Sequence, residues 1–452
     1  MNITIIGAGK IGKSLIAHLL EENHNITLIE TNASLLDECI NNFDINGIVG
    51  NGASLAIQKE ANTKDADLVI AVTGSDEFNI LCCIVAKKLG NARTIARVRN
   101  PEYAKQVTLM RDELCLDAYV NPELDCANKI ARLLRFPGAL NIETFSNGKV
   151  DIAEIKVEES SPLVGLNLNS VSKKMDLRFL VCAAKRNGEA LIPNGEFTIS
   201  VGDELYIVAA QSTMAKLFKK LNLYKNRAKD IMVCGGGKIA YFLCKLMEDD
   251  GANIKLIESN KERASELTTL LPKTMIINAD VTDREVLLSE NIEQMDAVVT
   301  LTGLDEENMF VSLVAKRYGV RQNITKVNRL AFVDIIPNTN LDYVVNTSEI
   351  TVNNIIRYTR GMRKNVSGEF RTLYRLLDNQ VEAAEFFVSK DSKYTNIPIQ
   401  ELKPNPGILI GAIIRQNTLI IPKGDDVIMP QDTVIIFAVA KMIKDLSDVV
   451  RK

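Results

Sequence analysis

Residues 1–30 read MNITIIGAGKIGKSLIAHLLEENHNITLIE. Asn2 to Ile6 is a short run rich in isoleucine that predicts a strand, Ser14 to Leu20 has helical apolar spacing, and Ile26 to Ile29 predicts a second strand. Between the first strand and the helix lies Gly7-Ala8-Gly9-Lys10-Ile11-Gly12, and the second strand ends on Glu30. A glycine turn of that spacing, opening a helix and followed by an acid at the next strand end, is the fingerprint of a dinucleotide site. Gly7 permits the tight turn, Gly9 lets the backbone approach a pyrophosphate on the helix N-terminus, and Gly12 lets helix and strand pack closely. Glu30 stands where a carboxylate accepts ribose hydroxyls.

Beyond Glu30 the β and α patterns keep alternating, which implies a parallel, doubly wound sheet. Helix Leu35 to Asn42, strand Ile45 to Val49, strand Asp67 to Val72 and helix Glu77 to Leu89 are followed by strand Thr94 to Val98, helix Glu102 to Arg111 and strand Asp117 to Val120. Asn121-Pro122 starts a further helix that runs to about Arg135 and stops at Phe136-Pro137-Gly138. From Ala139 to Leu223 the period changes to short strands (Val150 to Val157, then 178–184, 189–192 and 204–209) closed by a helix from Ser212 to Leu221, a small α+β lobe.

The chain then starts again. Gly235-Gly236-Gly237-Lys238-Ile239-Ala240 repeats the opening turn with the permitted alanine in third place, and Glu258 repeats Glu30, each 228 residues on (7 to 235, 30 to 258). Thr73, Gly74, Asp76 and Asn79 recur as Thr302, Gly303, Asp305 and Asn308; Arg97-Val98 recurs as Lys326-Val327. In the small lobes Ile192-Pro193 and Asp203 recur as Ile421-Pro422 and Asp432. The expected organisation is therefore a nucleotide-binding lobe and a small lobe, twice: 1–136, 137–224, 228–360 and 365–452, jointed at Tyr224 to Arg227.

Composition narrows the function. Lys plus Arg number 54 against 57 for Asp plus Glu, so a net charge of −3 gives no polyelectrolyte drive toward nucleic acid or anionic lipid. The longest apolar runs, such as Gly407 to Ile414, fall short of the roughly 20 residues a spanning helix needs. The opening strand carries no signal-peptide pattern, and a cytoplasmic location is expected. The eight cysteines form no CxxC, and only His18 and His24 could join them on a metal, so buried thiols in a reducing compartment are expected. Lys10 and Lys238 either meet phosphate or stay in solvent. Arg97 either meets a ligand or pairs with a carboxylate, and Asp76 is expected to cap its helix.

Two Rossmann N-lobes, each followed by a small C-lobe, resemble the tandem RCK (KTN) family, the nucleotide-binding regulatory subunits of bacterial Trk potassium-uptake systems. The resemblance covers the whole chain and rests on the glycine turn, Asp65-Ala66-Asp67, Thr73-x-x-Asp76-Glu77-x-Asn79, Arg97-Val98-Arg99 with Pro101-x-Tyr103, Phe136-Pro137-Gly138-Ala139-Leu140 and the C-lobe string from Ile421 through Asp432 to Ile436. It implies a first site using Gly7 to Ile11 for phosphates, Glu30 for ribose, Thr73-Gly74 at a strand end and Arg97. A second site would use Gly235 to Ile239, Glu258, Thr302-Gly303 and Lys326. Where many members carry Gly-Asp against the adenine, this chain has Gly50-Asn51 and Ala279-Asp280; Arg99-Asn100-Pro101 has become Asn328-Arg329-Leu330.

The resemblance further implies NAD(H), with ATP and ADP as other candidate ligands, a homotetrameric ring and a TrkH-like membrane-embedded transporter as partner. It implies a regulatory subunit, not an enzyme, held at the inner face of the membrane through that partner. A dehydrogenase is the rival class, but the small lobes carry no histidine to serve as acid or base beside a nicotinamide. A redox-sensing repressor would need a helix-turn-helix or basic helix that the pattern lacks.

Overall fold

A computed structural model describes residues 1–103, 106, 113, 116–136, 138–145, 150–223, 228–329, 341–362, 370–377, 380–390, 392, 394–402, 405 and 407–439. The expected joint Tyr224 to Arg227 and most of the helix expected over Glu102 to Arg111 lie outside the described residues. The chain forms two compact units. One combines Met1–Ala131 with Lys229–Thr359, the other Arg132–Ala228 with Arg360–Lys452. The like lobes of the two repeats are thus built together, pairing segments more than 200 residues apart.

The first unit contains two parallel six-stranded sheets. In the first, β1 (Asn2–Ile6), β2 (Asn25–Glu30), β3 (Asn46–Val49), β4 (Leu68–Ala71), β5 (Arg93–Arg97) and β6 (Ala118–Val120) stand in the order β3-β2-β1-β4-β5-β6. β1 lies between β2 and β4, with Ile5 opposite both Leu28 and Ile70. The strand order reverses between β1 and β4, and such sheets bind ligands at the carboxyl ends of the strands at that point. The second sheet repeats the order with Asp230–Cys234, Asn253–Glu258, Met275–Asn278, Ala297–Thr300, Gln322–Lys326 and Tyr343–Val345.

The strands are apolar on both faces because helices cover both; Ile5, Leu28, Val69 and Ile70 are fully buried. All seven described cysteines are free and buried, and burial pushes the thiols of Cys82, Cys126 and Cys234 up to about 12. They pack as small hydrophobes. The two halves of this unit meet through helix Pro122–Arg135 and helix Thr347–Gly361, where Asn354 Nδ2 donates to Asp125 Oδ2 at 2.7 Å and Thr347 Oγ1 to Cys126 Sγ at 4.0 Å.

The second unit holds two antiparallel five-stranded sheets. The first adds a strand, Ala139–Phe145, to those read from the sequence; it pairs with Val150–Lys156 at the sheet edge. Side chains from both sheets, among them Phe145, Val150, Tyr206, Val381, Ile435 and Phe437, form one apolar cluster. The repeated aspartates are tie points of this unit. Asp203 receives Arg186 Nε and Nη2, each at 2.7 Å, and Ser200 N at 2.8 Å; Asp432 repeats this with Arg415 and Met429 N. Packing around Phe437 is tight, for a Cβ on Gly411 would stand 2.2 Å from its ring. Phe437→Ala should therefore cost about 3–5 kcal/mol in urea unfolding; a loss below about 1 kcal/mol would mean that the joint cluster is not what holds the two sheets.

Candidate nucleotide site

The first glycine turn is shaped by contacts that only glycine allows. Gly7 has φ +107°, a left-handed conformation, and a Cβ on Gly12 would fall 2.0 Å from the Gly7 carbonyl oxygen. The second half carries Ala240 at the matching place, so its turn cannot repeat that contact. Helix Lys10–Glu21 begins directly after Gly9, four residues before the apolar periodicity suggests, because Lys10, Gly12 and Lys13 of its first turn add no apolar side chain to the pattern. Nothing stands within 4 Å of where a Gly9 Cβ would be, and the same is true of Gly74, Gly237 and Gly303. Free N–H groups of a helix N-terminus thus border open space, the arrangement that receives phosphate.

Glu30 accepts hydrogen bonds from Ala8 N at 2.7 Å, Asn32 N at 3.0 Å and Thr31 Oγ1 at 3.1 Å. Burial pushes its carboxyl upward, but those donors outweigh it and hold Glu30 below its ordinary value. An ionised carboxylate has about four lone-pair positions, so it keeps accepting capacity for a ribose. Asn79, fully buried, accepts from both Thr73 N (2.8 Å) and Thr73 Oγ1 (2.7 Å) and donates to Arg97 O (2.9 Å), while Arg97 Nη2 donates to Thr73 O. Asp76 does not cap its helix; Ser75 does, receiving Phe78 N at 3.2 Å. Asp76 instead receives Arg99 N (2.7 Å) and Asn100 N (2.8 Å), fastening the loop after β5.

These groups line a cavity of about 700 Å³. Of the residues expected from the sequence, Gly7, Gly9, Lys10, Ile11, Glu30, Thr73, Gly74 and Arg97 border it; Ala8 and Gly12 lie beneath the turn, and Asn51 turns its side chain back onto Ala53 N at 2.8 Å. Two bordering residues expected at the second site, Ile239 and Lys326, face this same cavity, together with Asn328, Thr347 and Ser348. Leu35, Phe78 and Glu123 also border it and were not singled out by motif; Arg99 and Pro122, which belong to the sequence motifs but were not assigned to the site, border it too. Glu123 stands in the first turn of the helix after β6, and the signal for it is its place beyond the carboxyl end of a parallel strand, where such sheets bind ligands.

Among the described residues, two buried polar atoms at the cavity have no hydrogen-bond partner, Arg97 Nε and Glu123 Oε2. Burial, then the Arg99 charge, pulls the Arg97 guanidinium down, and burial pushes the Glu123 carboxyl up. Burial likewise lowers Lys326, whose Nζ donates to Thr302 O at 2.6 Å. A diphosphate fits this lining, with open backbone at Gly9 and an unmet guanidinium donor.

The second turn keeps the frame and changes the lining. Gly235 has φ +99°, and Glu258 receives Gly236 N at 2.6 Å and Asn260 N at 2.7 Å. Thr302 N donates to Asn308 Oδ1 at 2.8 Å. Lys238 is exposed, and Asp280 receives Thr282 N and Oγ1, whose bonds lower its pKa. Where the first half has Leu35, the second has Arg263, donating to Gly236 O at 2.8 Å and paired with Glu266.

Comparison with known proteins agrees with this duplicated plan. The TrkA-N domain model matches residues 3–122 and 231–347, and the TrkA-C domain model 152–222 and 383–451. The chain is 33% identical over 456 residues to the Trk system potassium uptake protein TrkA of Vibrio alginolyticus, covering 99% of this chain and 98% of that one. It is 30% identical over 446 residues to the protein of that name from Haemophilus influenzae, covering 97% and 95%. Among solved structures, the GsuK channel bound to NAD matches with a TM-score of 0.65 at 17% identity, over 97% of this chain and 77% of that one. The GsuK RCK domain matches at 0.64 and 17%, over 97% and 92%. No helix among the described residues is long and apolar enough to cross a membrane. Two TrkA-N and two TrkA-C domains in alternation, with full-length relatives at about 30% identity, make this chain a member of the TrkA family of Trk potassium-uptake proteins.

Proposed function

We propose that this chain is a nucleotide-sensing regulatory subunit that docks on a membrane potassium-uptake transporter of the TrkH type and gates it. The observation that carries this reading is the make-up of the 700 Å³ cavity: its phosphate-turn wall belongs to the first repeat and Lys326, Asn328, Thr347 and Ser348 to the second. A ligand on the first turn touches both repeats, so its occupancy biases how the two N-lobes pack. NAD(H) is the proposed ligand, supported by the NAD in the GsuK neighbour, with ATP and ADP sharing the same pyrophosphate and ribose features. The site is proposed to consist of the residues named above in the first repeat, with a second site at Gly235 to Ile239, Glu258, Asp280, Thr302 and Gly303.

The lobes are taken to run 1–136, 137–224, 228–360 and 365–452, and four chains to close a ring at the cytoplasmic face of the membrane. Full reversal of a two-state gate needs about 5.5 kcal/mol of differential binding. Shared among the sites of a tetramer, that is about 1 kcal/mol each, within ordinary allosteric coupling. No catalytic acid or base is assigned, and the relatives are named as potassium uptake proteins, which supports regulation over catalysis.

Gly9→Asp is a clean probe, because Gly9 has an ordinary φ of −67° and open space at its Cβ, so the fold should survive. It should weaken NADH binding by about a hundredfold, ~2.7 kcal/mol, measured by calorimetry beside a circular dichroism check; unchanged affinity would remove the phosphate site from this turn. Glu30, ionised and fixed beside the turn, should make NADH bind at least about tenfold tighter than NADPH. Equal or tighter NADPH binding would show that Glu30 does not meet the ribose. Loss of the protein should impair growth when potassium is scarce, and the protein should co-purify with a multi-span membrane subunit. Normal growth together with substrate-dependent NADH turnover by the chain alone would instead favour a dehydrogenase.

A further inference from the structure

A second cavity in the same unit, of about 310 Å³, shares no lining residue with the first. It is bounded by β5, edge strand β6 and the start of helix Pro122–Arg135 on one side, and by Asn354 and Tyr358 of helix Thr347–Gly361 on the other. Its polar equipment is specific. Asn121 is 3% exposed, and its Oδ1 caps the helix by accepting from Leu124 N at 2.9 Å. That bond fixes the amide's orientation, so the buried atom left without a partner is the donor Nδ2. Asp125 supplies a carboxylate, bonded to Asn354, and Tyr119 and Tyr358 supply two phenol rings among apolar walls of Ile95, Val120 and Leu124.

The repeat keeps the unmet amide, for Asn346 caps its helix in the same way with its buried Nδ2 unpartnered among the described residues, but it does not keep the rest of this equipment. Counting from the matching caps Asn121 and Asn346, Asp125 corresponds to Ile350, Asn354 to Lys129 and Tyr358 to Leu133. One side of the helix pair has lost the carboxylate and a ring that the other side keeps. A carboxylate with aromatic rings, and neither lysine nor arginine in the lining, favours an organic cation. The unmet amide donor asks for an acceptor nearby, which a bare metal ion does not offer. A volume of about 310 Å³ is at the lower end for ligand sites and too small for a dinucleotide.

We propose that this cavity binds a small zwitterion, its ammonium group set against Asp125, Tyr119 and Tyr358 and its carboxylate or carbonyl accepting from Asn121 Nδ2. Such a ligand would bridge the two repeats at a place independent of the glycine turns. The test is calorimetry and ligand-observed NMR on the full chain with trimethylglycine and glycine, and with tetramethylammonium as the cation alone. Either zwitterion should bind saturably with a dissociation constant in the millimolar range or tighter, and Asp125→Asn should weaken it at least about tenfold. Asn121→Asp keeps the helix cap but replaces the donor by an acceptor that can carry a negative charge; it should weaken the zwitterion and leave tetramethylammonium bound at least as tightly as before. Tyr358→Leu, which installs the residue found at the matching position of the other repeat, should weaken all three while circular dichroism stays unchanged. The proposal is overturned if neither zwitterion saturates by about 100 mM, if the variants bind like the parent, or if a potassium or calcium ion binds in a manner abolished by Asp125→Asn while the zwitterions do not.

Discussion

The ligand edge of each sheet hangs on one buried side-chain amide. Asn79 holds Thr73 through its backbone N–H and its hydroxyl and holds Arg97 through its carbonyl; Asn308 holds the Thr302 N–H and the Lys326 carbonyl in the same way, while the Thr302 hydroxyl donates to Leu304 O instead. Both asparagines are fully buried. Without the amide, the Thr73 N–H and Arg97 carbonyl would be left unmet where water does not replace it, a cost of about 1–3 kcal/mol each. Neighbouring parallel strands end at different heights, and the asparagine, reaching from the first turn of the following helix, makes the ends of the fourth and fifth strands one rigid piece. The cation that borders the cavity is positioned by that piece.

On this common frame the two repeats have diverged in chemistry. The matching pairs are Gly12 and Ala240, Leu35 and Arg263, Arg97 and Lys326, and, counting from the capping asparagines, Glu123 and Ser348. The first three alter the turn, the wall beside the ribose acid and the cation. The last removes a carboxylate. The 700 Å³ cavity therefore draws its acid from one repeat only, while cations enter from both. Duplication supplied two copies of a backbone, and side-chain changes made them unequal.

Much of the fold was legible because it is local. Gly7 needs positive φ, Glu30 follows its strand at the fingerprint distance, and apolar runs of strand length alternate with helical spacing, so six parallel strands and their repeat could be read without coordinates. What escaped is what local pattern does not encode. The helix starts at Lys10, in a first turn where Lys10, Gly12 and Lys13 leave no apolar period to read. Asp76 looks like a cap by position, yet its carboxylate serves the backbone of Arg99 and Asn100. Strand Ala139–Phe145 was missed because it sits at a sheet edge and alternates weakly. Contacts such as Asn354 with Asp125 join residues 229 apart, and no periodicity announces them. The small-lobe aspartates were visible as a repeat, but their purpose, fixing Arg186 and Arg415, needed geometry.

On the proposed function, the unequal cavity gives a route from binding to signal. Burial raises the Glu123 carboxyl and lowers Lys326, and burial together with the Arg99 charge lowers Arg97. A diphosphate at the Gly9 turn adds negative charge to the same space. It raises Arg97 and Lys326 back toward their ordinary values and drives Glu123 further in the direction burial already takes it. Lys326 belongs to the second repeat while Arg97 and Glu123 both belong to the first, so one ligand attracts a cation from each side of the junction and repels a carboxylate on one side only. On the proposed function, a change in the distance between the two sides is what would relieve that imbalance and carry the signal.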